Sequence, residues 1–198
     1  QRKSDSGIVY CNSRWQVDQL TRLLAEKGIN CAAYHAGLES EIRNFVQDGF
    51  TKDNIQIVIA TIAFGLGIDK PNIRFVIHFQ PPHTLESYYQ EIGRAGRDGL
   101  PAEALFLYDE QDAGRIKKRI NQGENAQRVN VELQRFQALV GFADTQICRR
   151  QVLLNYFAQY TENKCGNCDI CLDPPRQFDA TQAAQKVLSC VYRINQQG

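Results

Sequence analysis

The chain opens with apolar and polar positions that alternate between two rhythms. GIVYCN (Gly7–Asn12) is short and mostly apolar, the pattern of a strand buried on both faces. A helical rhythm follows. Ser13 and Gln16 have capping-box spacing, Val17, Leu20, Leu23 and Leu24 form one apolar stripe, and Gly28 supplies a C-terminal stop. NCAAYH (Asn30–His35) reads as a second strand. Ile42, Phe45 and Val46 mark a second helix, which Gly49 is expected to end. IQIVIA (Ile55–Ala60) is the clearest strand, and IRFVIHF (Ile73–Phe79) is another behind the breaker Pro71. Leu85–Glu91 reads as a short helix and AEALFLYD (Ala102–Asp109) as a fifth strand. Strands alternating with helices predict an α/β fold, a largely parallel sheet with helices on both faces.

Beyond Asp109 the rhythm changes. From Gln111 to Phe157 only helical periodicity is present: Leu133, Phe136, Leu139 and Val140 share one face, Val152, Leu153 and Phe157 another. Pro174 and Pro175 mark a boundary. A last helix, Thr181 to Ile194, carries Ala184, Val187, Leu188 and Val191 on one side. The expected division is 1–109, 110–175 and 176–198.

The length, 198 residues, suits an ordinary domain plus smaller ones, and 43% hydrophobic residues suffice for a core. The net charge is +1, so a site for a polyanion must be a local patch. The polar start QRKSDSG does not resemble a signal peptide, and no apolar run approaches a membrane span. A cytoplasmic location without membrane contact is the expectation. The absence of an initiator methionine makes a piece of a longer chain the expectation too.

There are seven cysteines. Cys11, Cys31 and Cys190 are scattered, but Cys148, Cys165, Cys168 and Cys171 follow C-x16-C-x2-C-x2-C. Two x2 steps wrap a short loop around one ion, with the remaining ligand from a preceding helix. An odd count and no secretion signal disfavour disulfides. Zinc is favoured; an iron–sulfur cluster, which also takes four thiolates, stays open. Four filled positions leave none for a catalytic water, so the role expected is structural.

The chemistry-bearing loops come last. SYYQEIGRAGRDG (Ser87–Gly99) places Arg94 and Arg97 among glycines. Guanidinium groups on a backbone that allows close approach suit phosphate, although a solvated basic turn fits the same residues. ATIAFGLGIDKP (Ala60–Pro71) follows the clearest strand, with Thr61, Gly65, Gly67 and Asp69 as polar or exposed-backbone positions. YCNSR (Tyr10–Arg14) and YHAGL (Tyr34–Leu38) also follow strands, which puts Asn12, Ser13, Arg14 and His35 on the same rim. A lone histidine such as His35 is more often a satisfied structural residue. No Walker A loop occurs.

Together these loops resemble the second RecA-like domain of superfamily-two helicases: YCNSR looks like motif four, ATIAFGLGIDKP like motif five and QEIGRAGRDG like motif six. The cysteine cluster after CRRQVLLNYF, with CGNCDICLDPP, resembles that of bacterial RecQ DNA helicases. The resemblance covers essentially the whole chain. It implies a RecA-like domain (1–109), a small, mostly helical zinc-binding domain (110–175) and the first helix of a winged-helix domain (176–198). It implies ATP-dependent 3′-to-5′ unwinding of duplex DNA in recombination and repair by the intact protein, near the bacterial nucleoid. By this resemblance Arg97 is the arginine finger, and Arg94 serves the phosphates or holds the motif in shape. Gln90, Gly67 and Asp69 belong with the nucleotide. Asn12, Ser13, Arg14, His35, Thr61 and Gly65 lie along the single-strand track. The implied cofactors are structural Zn2+ and ATP with Mg2+. The implied partners are single-stranded and forked DNA and the first RecA-like domain of the same protein. The phosphate-cradling lysine, the DEAH box and the aromatic-rich loop belong to that domain and are not in this sequence. This piece alone is therefore expected not to hydrolyse ATP at a useful rate. The rival reading is a DNA- or protein-docking module with vestigial motor motifs.

Overall fold

The computed structural model describes residues 5–61, 64–65, 68–176 and 178–195, with the side chain of Asn195 left aside. They fall into two compact units, 1–144 and 145–198.

In the first unit the strands are β1 (Ser6–Tyr10), β2 (Cys31–Tyr34), β3 (Ile57–Ala60), β4 (Ile73–His78) and β5 (Glu103–Phe106). They form one sheet in the order β2-β3-β1-β4-β5, every pairing parallel. The helices between them are α1 (Arg14–Glu26), α2 (Ser40–Thr51) and α3 (Leu85–Ile92).

Side chains alternate across the strands, and the sheet carries a core on each face. Ile8, Tyr10, Val58, Ala60 and Val76 pack with Val46 and Phe50 of α2, with Ile92 of α3 against them. Val9, Cys11 and Ile59 face the other way and pack with Val17, Leu20 and Leu24 of α1. Helices on both faces follow from the strand order, because right-handed crossovers that move in opposite directions along a sheet land on opposite sides.

Local signals set the helix starts. Ser13 caps α1 by accepting from the Gln16 N–H, and Thr84 caps α3 by accepting from the Ser87 N–H. One local reading needs correction. Gly49 does not end α2, which runs on to Thr51. The glycine is buried inside the helix, where a Cβ would stand 2.7 Å from Ile55 Cδ1, so the chain returning toward β3 needs the space.

The next helices, α4 (Glu110–Asn121) and α5 (Ala126–Ala143), lie within the first unit. Phe136, Leu139 and Phe142 of α5 are buried, and the Phe142 ring lies 5.2 Å from that of Tyr88 in α3. The second unit contains α6 (Arg149–Tyr156), α7 (Asp169–Leu172) and α8 (Thr181–Asn195). No helix among the described residues is long and apolar enough to cross a membrane.

Candidate functional site

The expected site residues divide between the two ends of the sheet. Asn12, His35 and Thr61 follow the C-terminal ends of β1, β2 and β3. The Asn12 side chain donates to the Pro81 carbonyl at 2.9 Å, and its backbone N–H donates to Gln80 Oε1 at 3.2 Å. Motif four is thereby tied to the turn that enters α3. Ser13 and Arg14 are exposed beside it. His35 is buried, with Nε2 3.1 Å from Asp18 Oδ1 and Nδ1 accepting from the Gly37 N–H at 3.2 Å. Both ring nitrogens are therefore occupied, and the ring organises the loop beneath Arg14. Thr61 is half-buried, and its N–H donates to the Tyr34 carbonyl.

The opposite end of the sheet holds motif six. Helix α3 runs back against the strands, so the residues after it arrive at the start of β4. There the Gly96 N–H donates to the Ile73 carbonyl at 2.9 Å, and Arg74 pairs with Asp98 at 2.5 Å. The segment that sequence places at the C-terminal end of β3 begins there, at Thr61, but crosses to this far end. Its Asp69 meets Arg97, and its Lys70, only 2% exposed, pairs with Asp53 at 2.6 Å. Asp53 Oδ1 also accepts from Ser6, the first residue of β1, at 3.1 Å. Motif five thus spans from one rim to the other. A strand-to-strand crossover must do this, because β3 ends where β4 does not begin.

Arg97 and Arg94 differ sharply in setting. The Arg97 side chain is 39% exposed. Its Nη1 donates to Asp69 Oδ1 at 3.2 Å and to the Ile68 carbonyl at 3.3 Å, and its Nε donates to the Gly93 carbonyl at 3.3 Å. The stem is anchored while part of the head stays open to solvent. Arg94 is 8% exposed and turned inward, donating from Nη1 to the Gly65 carbonyl. Gly65 lies at φ +114°, and a Cβ there would overlap the guanidinium. Gln90 is exposed on α3. Gly67 lies outside the described residues.

Beneath Arg94 is a buried polar group that sequence reasoning did not single out. His78 Nε2 lies 2.7 Å from Glu91 Oε2, and both side chains are under 8% exposed. The Tyr10 ring stacks on His78 at 5.5 Å, and its hydroxyl donates to the Phe64 carbonyl at 3.2 Å. Burial drives the Tyr10 phenol well above its ordinary pKa, with the Arg94 charge opposing. A histidine at the end of one strand and a glutamate on the next helix was the only available signal.

The second unit holds the metal-ligating cluster. Cys148 and Cys168 stand at the N-cap positions of α6 and α7, and Cys165 and Cys171 complete the set. The four Sγ atoms all lie within 4.8 Å of one another, with Cys165 and Cys171 at 3.9 Å. A tetrahedral Zn–S site has sulfurs about 3.8 Å apart, so the thiols fit one ion. Arg149 grips Asp169 in a fork at 2.6 and 2.7 Å, fixing the first residue of α6 to that of α7. Burial resists a thiolate at Cys148, but the Cys165 and Gln151 N–H groups outweigh it and bring the thiol below its ordinary value.

The comparisons with known proteins agree with this arrangement. The family model for the helicase conserved C-terminal domain matches residues 1–99, that for RecQ zinc-binding matches 110–172, and that for the RQC domain matches 174–198. A Haemophilus influenzae protein named ATP-dependent DNA helicase RecQ is 50% identical over 98% of this chain and 32% of its own length. Its Pasteurella multocida namesake is 51% identical over 98% of this chain and 31% of its own length. The chain spans about a third of the length of the curated relatives it matches. Among solved structures, the Escherichia coli DEAD-box protein SrmB, bound to regulator of ribonuclease activity A, superposes with a TM-score of 0.51 at 26% identity. That match covers 60% of this chain and 72% of the other. The sheet is therefore a RecA-like helicase C-terminal fold, and the four cysteines are those of a structural zinc site. The chain belongs to the RecQ family, carrying its helicase conserved C-terminal domain, its zinc-binding region and part of its RQC domain.

Proposed function

We propose that this chain is the second motor domain and zinc-binding region of an ATP-dependent 3′-to-5′ DNA helicase. Residues 1–109 would be the motor domain, 110–175 the zinc-binding domain and 176–198 the start of the winged helix. The observation that carries the reading is Arg97, a guanidinium anchored at its stem by Asp69, Ile68 and Gly93 with its head partly free. That is the state of an arginine waiting for phosphate supplied by another domain.

In this reading the C-terminal rim, with Asn12, Ser13, Arg14 and Thr61, follows the single-stranded DNA backbone, for which such contacts carry no sequence preference. His35 supports this rim from below, and Gly65 supports it through Arg94. The opposite rim, with Asp69, Gln90 and Arg97, belongs to the nucleotide, and Gly67 is assigned there on sequence alone. ATP with Mg2+ is held mainly by the first RecA-like domain of the same protein. Arg97 stabilises charge that develops on the transferred phosphoryl group, and Arg94 holds the motif in shape. The zinc site keeps the second unit folded. The working environment is the bacterial cytoplasm near the nucleoid, on single-stranded and forked DNA.

The test is ATP turnover by the full-length protein with and without single-stranded DNA, compared with Arg97→Lys. DNA-dependent turnover that collapses in the variant supports the reading. Turnover absent from the unaltered full-length protein sinks it and favours the docking-module alternative.

A further inference from the structure

The two rims are joined through a small buried polar cluster. Tyr10 ends β1, two residues before Asn12 on the DNA rim. Its hydroxyl donates to the carbonyl of Phe64 at 3.2 Å. The neighbouring carbonyl, of Gly65, is the one that Arg94 grips. Arg94 in turn follows Glu91 by one turn, and its N–H donates to the Glu91 carbonyl at 3.3 Å. Glu91 is held by His78, on whose ring Tyr10 stacks. Tyr10, His78, Glu91 and Arg94 are all under 9% exposed.

Such a cluster is costly to bury and needs its partners in place. An apolar residue at Tyr10 would fill the same space beside Phe64 and Val76. The hydroxyl adds one thing, a bond to the crossing segment at the point where Arg94 also takes hold. A shift of β1 toward or away from the DNA rim is therefore transmitted to the segment that carries Asp69, and through Asp69 to Arg97. Packed cores and polar networks pass on small displacements because they are stiff.

We propose that Tyr10 is a positioning residue that couples DNA binding at motif four to the placement of Arg97, acting through the Phe64–Gly65 carbonyls and Arg94. This rests on the helicase reading above. Tyr10 touches neither DNA nor nucleotide in this role, and its effect is on communication between the sites.

The test uses the full-length protein and Tyr10→Phe, which keeps the ring and removes the hydroxyl. ATPase kcat and KM are measured with and without single-stranded DNA, alongside melting temperature and zinc content. Tyr34→Phe is the control, since it removes a hydroxyl from β2, two strands away on the same face, where the ring packs edge-on to Phe64 at 4.6 Å. Stimulation of kcat by DNA is expected to fall about fivefold or more in Tyr10→Phe, the smallest effect of an ordinary coupling free energy. DNA-free turnover, KM for ATP and zinc content stay as they were, and Tyr34→Phe stays normal. Unchanged stimulation in Tyr10→Phe overturns the proposal, as does an equal loss in both variants. Loss explained by melting below the assay temperature also overturns it, since the hydroxyl is then a stability group only. Absence of DNA-stimulated turnover in the unaltered protein overturns the helicase reading itself, and this inference with it.

Discussion

Arg97 Nη1 and Asp69 Oδ1 stand 3.2 Å apart, joining motifs 28 residues apart in sequence. The Asp69 side chain is 91% exposed and that of Arg97 is 39% exposed, so the pair lies in high dielectric. Pairs of this kind contribute little to folding. Its consequence is positional: Asp69 keeps the guanidinium at this rim, and in the proposed reading phosphate would compete for it. A charge-assisted fork to phosphate is the stronger partner, so release costs little.

Gly65→Ala is expected to destabilise the first unit by about 2 kcal/mol, from a left-handed backbone and a clash with a buried side chain. The new methyl would occupy the space of the buried Arg94 guanidinium and break its grip on the Gly65 carbonyl. Urea unfolding measures the shift in midpoint, and an unchanged midpoint would show that the segment adapts freely.

Removing one ligand of the metal centre should unfold the second unit, because structural zinc supplies folding energy directly. Cys168→Ser is expected to lose bound zinc and the helical signal of α6 and α7. Metal analysis by plasma emission checks this, since iron with visible colour would contradict a zinc site. A strong chelator should produce the same loss in the unaltered protein.

Acid should destabilise the first unit through two carboxylates. The hydrogen bond from Lys70 holds Asp53 below its ordinary value of 3.8, against the effect of burial. That from Arg74 does the same for Asp98. A folded pKa lower than the unfolded one means that unfolding takes up protons in acid. The stability these groups add is complete above the ordinary value and is lost as pH falls through the folded values. Urea midpoints between neutral pH and pH about 3 should decline mainly below pH about 4. Lys70→Met should make that decline shallower and lower stability at neutral pH, since Asp53 loses its partner.

Much of the fold was legible in the sequence. The strands β1 to β4 are near-continuous apolar runs because both faces are covered, and Ser13 and Gly28 punctuate α1 as their chemistry requires. The order β2-β3-β1-β4-β5 was not legible, since pairing is long-range and each strand is apolar enough for any neighbour. Gly49 was misread because a glycine needed for close approach and one that ends a helix look alike without the third dimension. At the site, the residue types were readable and their division between two rims was not. Arg94 and Arg97 sit three residues apart in the same motif, yet one faces Gly65 inside and the other Asp69 outside. Neither partner lies within the same helix or turn, so no local spacing could announce them. At His35 both ring nitrogens meet partners, Asp18 and the Gly37 N–H, of which only the second lies close in sequence.

The most direct test of the account is single-turnover ATP hydrolysis by the full-length protein carrying Arg97→Lys, on saturating single-stranded DNA. Lysine keeps the charge but cannot form the fork. Because Arg97 contributes only half-exposed contacts, melting temperature and zinc content should match the unaltered protein. The account predicts a fall in the hydrolysis rate of about 10³-fold, the lower range for an arginine finger, with ATP still bound. A rate within about twofold of the unaltered protein, in a folded and DNA-bound variant, would contradict it.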